Sequence, residues 1–269
     1  MKYCFTYDGN VKYTHLNEID EINIKFRKED TTLLAFLLEH KHQRINIYIE
    51  NILDFIADGS IEIFKAIKQG HPQLDFALVL PGFTYDDNFI NTLKEYSIKF
   101  YFQTFVNNWD VLHDLAKMGV SDMFITEILG FELMAVKNIL DSYGVKVRCF
   151  ANVAQSAAKD MGLKTFFIRP EDVEYYSAYV DCIEFFGPRD RQEVFYKIYK
   201  IDGKWFGKLN EIIIGLDSTL DSRNVLKEFA RRRVSCGKRC LKGNPCNLCG
   251  VMTELSETLE KGNLILTSL

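Results

Sequence analysis

Eight short runs rich in Ile, Val, Phe and Tyr recur along residues 21–187, with helix-type runs between them. They are EINIKF, RINIYIE, DFALVLP, KFYFQTF, DMFITEI, VKVRCFANV, TFFIRP and DCIEFFG. Each is too short for a helix and apolar enough for a strand covered on both faces. Segments such as NWDVLHDLAKMG separate them, with apolar residues three and four apart (Val111, Leu112, Leu115 and Met118), the pattern of an amphipathic helix. Gly70, Gly119, Gly144 and Gly162 each follow a helical run and precede a strand run, where a left-handed cap belongs.

Strict alternation implies parallel strands joined by right-handed crossovers, in either an open doubly wound sheet or a closed barrel. An open nucleotide-binding sheet would carry a glycine-rich phosphate loop after its first strand, and none follows EINIKF. Eight units favour an α/β fold of the (β/α)8 TIM-barrel type, with RQEVFYKIYKI as the eighth helix. Ahead of it, MKYCFTYDGNVKYT has the form of an N-terminal hairpin around Asp8-Gly9-Asn10, suited to capping the barrel bottom. Past residue 200 the rhythm stops, so the expected division is a barrel over 1–200 and a small extension over 201–269.

Hydrophobic residues at 47% and charged residues at 26% are the balance of a soluble globular protein. No run approaches the roughly 18 apolar residues of a membrane span. The stretch MKYCFTYDGNVKY lacks the basic start and apolar run of a secretory signal, so the expected compartment is the cytoplasm, with reduced thiols.

Chemistry in such barrels sits at the carboxyl ends of the strands. Polar residues interrupting those ends are Lys25, Glu50, Gln103, Glu127, Asn152, Gln155, Arg169 and Glu184. Glu50, Glu127 and Glu184 have the chemistry of a base or a metal ligand, and Lys25 and Arg169 that of an anion site. Glu184, flanked by Ile183 and Phe185, needs a partner if buried, and Arg169 is the expected one. The five histidines fall in helices or loops, and neither G-x-S-x-G nor H-E-x-x-H occurs, so serine-hydrolase and zincin readings have no motif. Cys4, Cys149 and Cys182 read as small buried hydrophobes.

The segment ARRRVSCGKRCLKGNPCNLCG, residues 230–250, holds Cys236, Cys240, Cys246 and Cys249 in a C-x3-C-x5-C-x2-C pattern. Four soft ligands this close in a reducing compartment point to a metal, with zinc and a [4Fe-4S] cluster as the alternatives. Between Glu228 and Glu254 there is no acidic residue, while Arg231, Arg232, Arg233, Lys238, Arg239 and Lys242 lie there. Despite a formal net charge of -4 for the whole chain, this module carries the footprint of a nucleic-acid phosphate contact.

Residues 151–187, ANVAQSAAKDMGLKTFFIRPEDVEYYSAYVDCIEFFG, resemble the collagenase-like peptidase family through Asn152, Ser156, Arg169 with Glu171, Glu184 and Gly187. LAKMGVSDMFIT is similar to the preceding unit of that family, which extends the resemblance to about residues 115–187. The resemblance implies a barrel with Asn152, Arg169 and Glu184 at its mouth, and an activity of the RNA- or quinone-hydroxylation type that uses cysteine-bound iron-sulfur clusters. The family's GRS-x-N-R-G-x-C-x-Q-P-C-R segment is absent, and a differently spaced cysteine module stands in its place.

The expectation is therefore a barrel enzyme that acts on or modifies a nucleic acid. The alternatives are a non-catalytic binding or assembly barrel with a structural metal tail, and a peptidase-like hydrolase.

Overall fold

In a computed structural model of the chain, nine strands form one all-parallel sheet in the order β5-β4-β3-β2-β1-β9-β8-β7-β6. The described residues are 1–7, 18–28, 31–82, 87–126, 129, 132–153, 166–187, 189–216, 220–225, 227–236, 251, 254 and 258. The strands are β1 (Lys2–Thr6), β2 (Glu21–Lys25), β3 (Arg44–Tyr48), β4 (Phe76–Leu80), β5 (Lys99–Phe102), β6 (Phe105–Val106), β7 (Asp122–Ile125), β8 (Lys146–Phe150) and β9 (Cys182–Glu184). The two ends of this order, β5 and β6, are successive parts of one stretch of chain. That stretch pairs with β4 through its first half and with β7 through its second. The sheet is thus a nearly closed barrel of eight staves, the TIM-type architecture that the alternation predicts.

Helices return the chain between staves: α1 (Leu33–Glu39), α2 (Ile52–Ala57), α3 (Ile61–Gly70), α4 (Asp87–Glu95), α5 (Trp109–Met118), α6 (Leu133–Ser142), α7 (Val173–Tyr176) and α8 (Arg189–Tyr196). A π-helical turn, Lys197–Asp202, continues α8. It is followed by α9 (Leu209–Ile212) and α10 (Lys227–Arg233). Gly119 and Gly144 take φ of 82° and 70°, the left-handed caps expected of them, whereas Gly70 is the last residue of α3 and Gly162 lies outside the described residues. Among the described residues, no helix is long and apolar enough to cross a membrane.

The ring differs from expectation at two runs. Lys2–Thr6 is not an arm of a hairpin: both its edges are taken by parallel neighbours, β2 and β9. Asp8-Gly9-Asn10 lie outside the described residues. Conversely, Phe166–Arg169 of TFFIRP stands outside the sheet, because β8 pairs directly with β9, Arg148 opposite Cys182. The apolar signal in TFFIRP is real, since Phe166, Phe167 and Ile168 are buried. With Lys2–Thr6 completing the ring, the run packs beside the end of β8 instead, Ile168 N–H donating to Ala151 O at 3.2 Å.

The apolar core lies outside the barrel wall. Ile22, Ile45, Ile47, Phe76, Leu78, Phe100, Ile125, Val147 and Ile183 point outward into one cluster with the helix faces. The alternate, inward positions carry Glu21, Asn23, Arg44, Asn46, Asp122, Arg148 and Glu184, all buried, beside a smaller apolar cluster of Ala77, Val79, Tyr101 and Phe124. A sheet with period-2 side chains and charges on its inner face departs from a both-faces-apolar parallel sheet.

Candidate functional site at the barrel mouth

The polar interior is a single ion-paired cluster. Arg148 is wholly buried and donates from Nη1 to Glu21 Oε2 at 2.7 Å and to Asp122 Oδ1 at 3.2 Å. Its Nε and Nη2 both reach Glu184 Oε1, at 3.0 and 2.6 Å. Arg44 grips Asp122 through both terminal nitrogens, Nη1 to Oδ1 at 3.0 Å and Nη2 to Oδ2. Asn23 Nδ2 donates to Glu184 Oε2 at 3.1 Å, and Asn46 Nδ2 donates to Glu21 Oε2 at 3.1 Å and Asn23 Oδ1 at 3.0 Å. Three carboxylates thus face two guanidiniums, and Lys2 Nζ, 3.9 Å from Glu21 Oε1 at the barrel bottom, supplies a third positive charge. Burial opposes ionisation of Glu21 and Asp122, yet the two arginines outweigh it and hold both carboxyls below their usual range. The Cys4, Cys149 and Cys182 thiols are pushed up by burial, which leaves them inert, as expected of small buried hydrophobes.

Aromatic rings lie over this cluster. The Arg148 guanidinium carbon is 5.1 Å from the Tyr101 ring centre and 5.7 Å from that of Phe124. Phe124 stacks on Phe150 at 5.3 Å, and Phe150 meets both Phe105 (5.8 Å) and Phe186 (6.0 Å) edge-on. Phe105 and Phe186, at the carboxyl ends of their staves, are 41% and 55% exposed.

The expected site residues divide sharply. Glu184 is buried against Arg148 and Asn23, so its partner is not Arg169. Arg169 instead clasps Asp172 through Nε (2.6 Å) and Nη2 (2.8 Å) and donates from Nη1 to Ser222 O (3.0 Å) and Val225 O (3.5 Å). Its side chain fastens the C-terminal segment to the run that packs beside the end of β8, outside the ring that β8 and β9 close. Asn152 is a backbone clip: Nδ2 donates to Phe186 O at 2.7 Å, and Oδ1 accepts from Phe186 N–H at 2.8 Å. Lys25 and Glu50 form an exposed ion pair at 2.6 Å on the rim of β2 and β3, and the Lys25 hydrogen bond holds the Glu50 carboxyl below its usual range. Gln103 N–H continues the β5 ladder to Leu80 O. Glu127 and Gln155 lie outside the described residues.

The C-terminal segment borders the mouth. Ile214 N–H donates to Asn152 O at 2.7 Å, and Glu171 Oε1 accepts from Trp205 N–H (2.9 Å) and Ser222 Oγ (2.8 Å). Met134 N–H, in the first turn of α6, donates to Val234 O at 3.3 Å. Because α6 starts where β7 ends, Val234 lies on the mouth side of the barrel.

On α10, Arg231 and Arg232 are exposed, whereas Arg233 is buried among Phe167 (4.5 Å), Phe229 (4.9 Å) and Phe166 (5.9 Å). Arg233 is therefore an anchor and cannot reach a phosphate, a correction to its expected place in the basic face. Cys236 is half-buried at the end of this segment, and Cys240, Cys246, Cys249, Lys238, Arg239 and Lys242 lie outside the described residues. Among the described residues, no three His, Cys, Asp or Glu side chains group as donors to a metal ion.

No protein-family model matches the chain. No curated protein matches it either. Among solved structures it is similar to tryptophan synthase from M. tuberculosis in the open form with BRD0059 bound. That pair is 10% identical over 62% of this chain and 71% of the other, with a TM-score of 0.41. The aminoacrylate-bound form of the same protein gives 10% identity, the same coverage and a TM-score of 0.39. Mycobacterium tuberculosis tryptophan synthase in space group F222 gives 9% identity over 82% of each chain and a TM-score of 0.40. Likeness at this level carries nothing about function, and the fold rests on the parallel strand order.

Proposed function

We propose that the chain is a TIM-type barrel protein of the cytoplasm that binds nucleic acid on the mouth side and acts on it there, the basic C-terminal segment holding phosphates. The observation that carries this reading is the contact of Val234 with the first turn of α6. It brings the end of α10, with exposed Arg231 and Arg232, to the barrel face where such folds do their chemistry. Lys238, Arg239 and Lys242 follow within nine residues of Arg233 in the sequence, close enough to serve the same face. Cys236, Cys240, Cys246 and Cys249 supply a thiolate set that suits zinc, with a [4Fe-4S] cluster as the alternative. Either would fix the backbone of the basic segment. The partial resemblance to the collagenase-like peptidase family, some of whose members act on RNA, agrees with this reading.

A second reading, a binding or assembly barrel without catalysis, is favoured by the use of Glu184, Arg169 and Asn152 in structural bonds. The two readings separate on turnover of a bound nucleic acid, and both rest on binding.

The test is fluorescence anisotropy with a labelled RNA between about 50 and 200 mM salt. Binding should weaken steeply with salt, and Arg231→Glu with Arg232→Glu should lower the slope by about 0.7 per lost phosphate contact on a single strand. No binding at low salt overturns the proposal. Metal analysis and a visible spectrum of anaerobically purified protein distinguish one zinc from iron with sulfide.

A further inference from the structure

We propose that Phe105 and Phe186 form a stacking platform for the unpaired bases of a single-stranded nucleic acid, with Asn152 as the residue that positions it. The inference rests on the nucleic-acid reading above and specifies the form of nucleic acid taken.

The two rings are exposed at the mouth ends of the β6 and β9 staves, with β7 and β8 between them, and one ring from β8, Phe150, backs both at about 6 Å, with Phe124 stacked beneath it. They cannot collapse inward, because the space below Phe124 is filled by Arg148 and its carboxylates. Phe186 is also held from behind. The Asn152 amide satisfies both the N–H and the C=O of Phe186, and Asn152 is itself tied through its backbone O to Ile214. A ring whose own backbone is fixed by two hydrogen bonds presents its face with little freedom left to lose on binding.

Two exposed rings that share one backing ring, on the mouth side to which the basic segment also runs, match the chemistry of single-stranded recognition, in which cations track the phosphates and aromatics take the bases. Bases in a duplex are stacked on one another and present no free face to Phe105 or Phe186. The platform therefore selects single strands, and it tolerates sequence because every base has a π-face.

The experiment compares the full chain with Phe105→Ala, Phe186→Ala, Phe186→Tyr and Asn152→Ala. Each is tested against an unstructured oligo(A) RNA and against an RNA duplex of equal charge, at one salt concentration. Loss of one ring should weaken oligo(A) binding by about 5- to 100-fold and leave duplex binding unchanged. Phe186→Tyr should restore oligo(A) binding, and Asn152→Ala should weaken it while circular dichroism shows the barrel intact. The salt slope should stay that of the unmodified protein in both ring variants, since phosphate contacts are untouched. If both ring variants bind oligo(A) as tightly as the unmodified protein, or if duplex is bound as tightly as oligo(A), the platform is wrong and the nucleic-acid reading survives. If the unmodified protein binds neither RNA, the nucleic-acid reading itself falls, and the platform with it.

Discussion

Arg148 and Glu184 meet inside the barrel through two hydrogen bonds to a single carboxylate oxygen, at 3.0 and 2.6 Å, with both residues buried. Removing one member of such a pair leaves the other charged and dry. Arg148→Met takes a guanidinium from Glu21, Asp122 and Glu184 and leaves Glu184 facing the neutral Asn23 amide, and should cost about 3–5 kcal/mol in urea unfolding. Lys25→Ala, which breaks an ion pair of similar length on the solvated rim, should leave the unfolding midpoint where it was. Equal midpoints for the two variants would contradict the buried network.

Acid should unfold the protein by a route set inside the barrel. The Glu21 and Asp122 carboxyls are held below their usual range in the folded state, so their stabilisation is present above the unfolded values of about 4. It disappears as the pH falls through the lower folded values. Asp172 runs the other way: burial raises its carboxyl despite Arg169, so its ionisation costs stability near neutrality, and that cost lifts as the pH falls. Unfolding free energy measured from pH 7 down to about pH 2 should fall below pH 4, and Asp172→Asn should flatten the part of the curve above it. A curve for Asp172→Asn that superimposes on the unmodified one would refute the opposing contribution.

Arg169 is predicted to act as a fastener. Arg169→Ala frees Ser222 O and Val225 O and leaves Asp172 without its bidentate partner. Limited proteolysis should then cut within 205–236 earlier than in the unmodified chain, while far-ultraviolet circular dichroism keeps the barrel signal. Cleavage at the same rate in both proteins would show that the segment is held by other contacts.

Three consecutive arginines should behave in two ways. Arg233→Ala removes a guanidinium packed on Phe166, Phe167 and Phe229 and should lower the thermal midpoint, each ring contact being of the order of 0.5–2 kcal/mol. Arg231→Ala and Arg232→Ala should both weaken RNA binding, and exposed Arg232→Ala should leave the midpoint unchanged. A thermal scan beside a binding titration separates the two roles, and loss of stability in all three variants would erase the distinction.

The barrel is legible in the sequence because β-type and helical periods alternate with glycine stops, and the same period holds the clue to its interior. E-I-N-I-K and R-I-N-I-Y alternate polar and apolar residues at every step, and the structure turns Glu21, Asn23, Arg44 and Asn46 inward. Reading those runs as covered on both faces by apolar matter hides the ion cluster, although Arg148 between Val147 and Cys149 repeats the signal. The site residues are harder to read, because a polar residue at a strand end looks the same whether it faces a ligand or a neighbouring loop. Arg169 and Asn152 bind carbonyls of chain segments far away in sequence, Ser222 and Phe186, and no local pattern announces such partners. Arg233 differs from Arg231 and Arg232 only by the helical rotation that turns it onto three phenylalanines.

The stave made of β5 and β6 serves one neighbour with its first half and the other with its second. Its lower part is also tied across, Ser121 N–H donating to Phe100 O at 2.8 Å, so the handover falls near the mouth, around Gln103 and Thr104. A hoop joined at one overlapping slat flexes first at the overlap. Any widening there would displace the end of the wall that carries Phe105 before it reached the charged plug below.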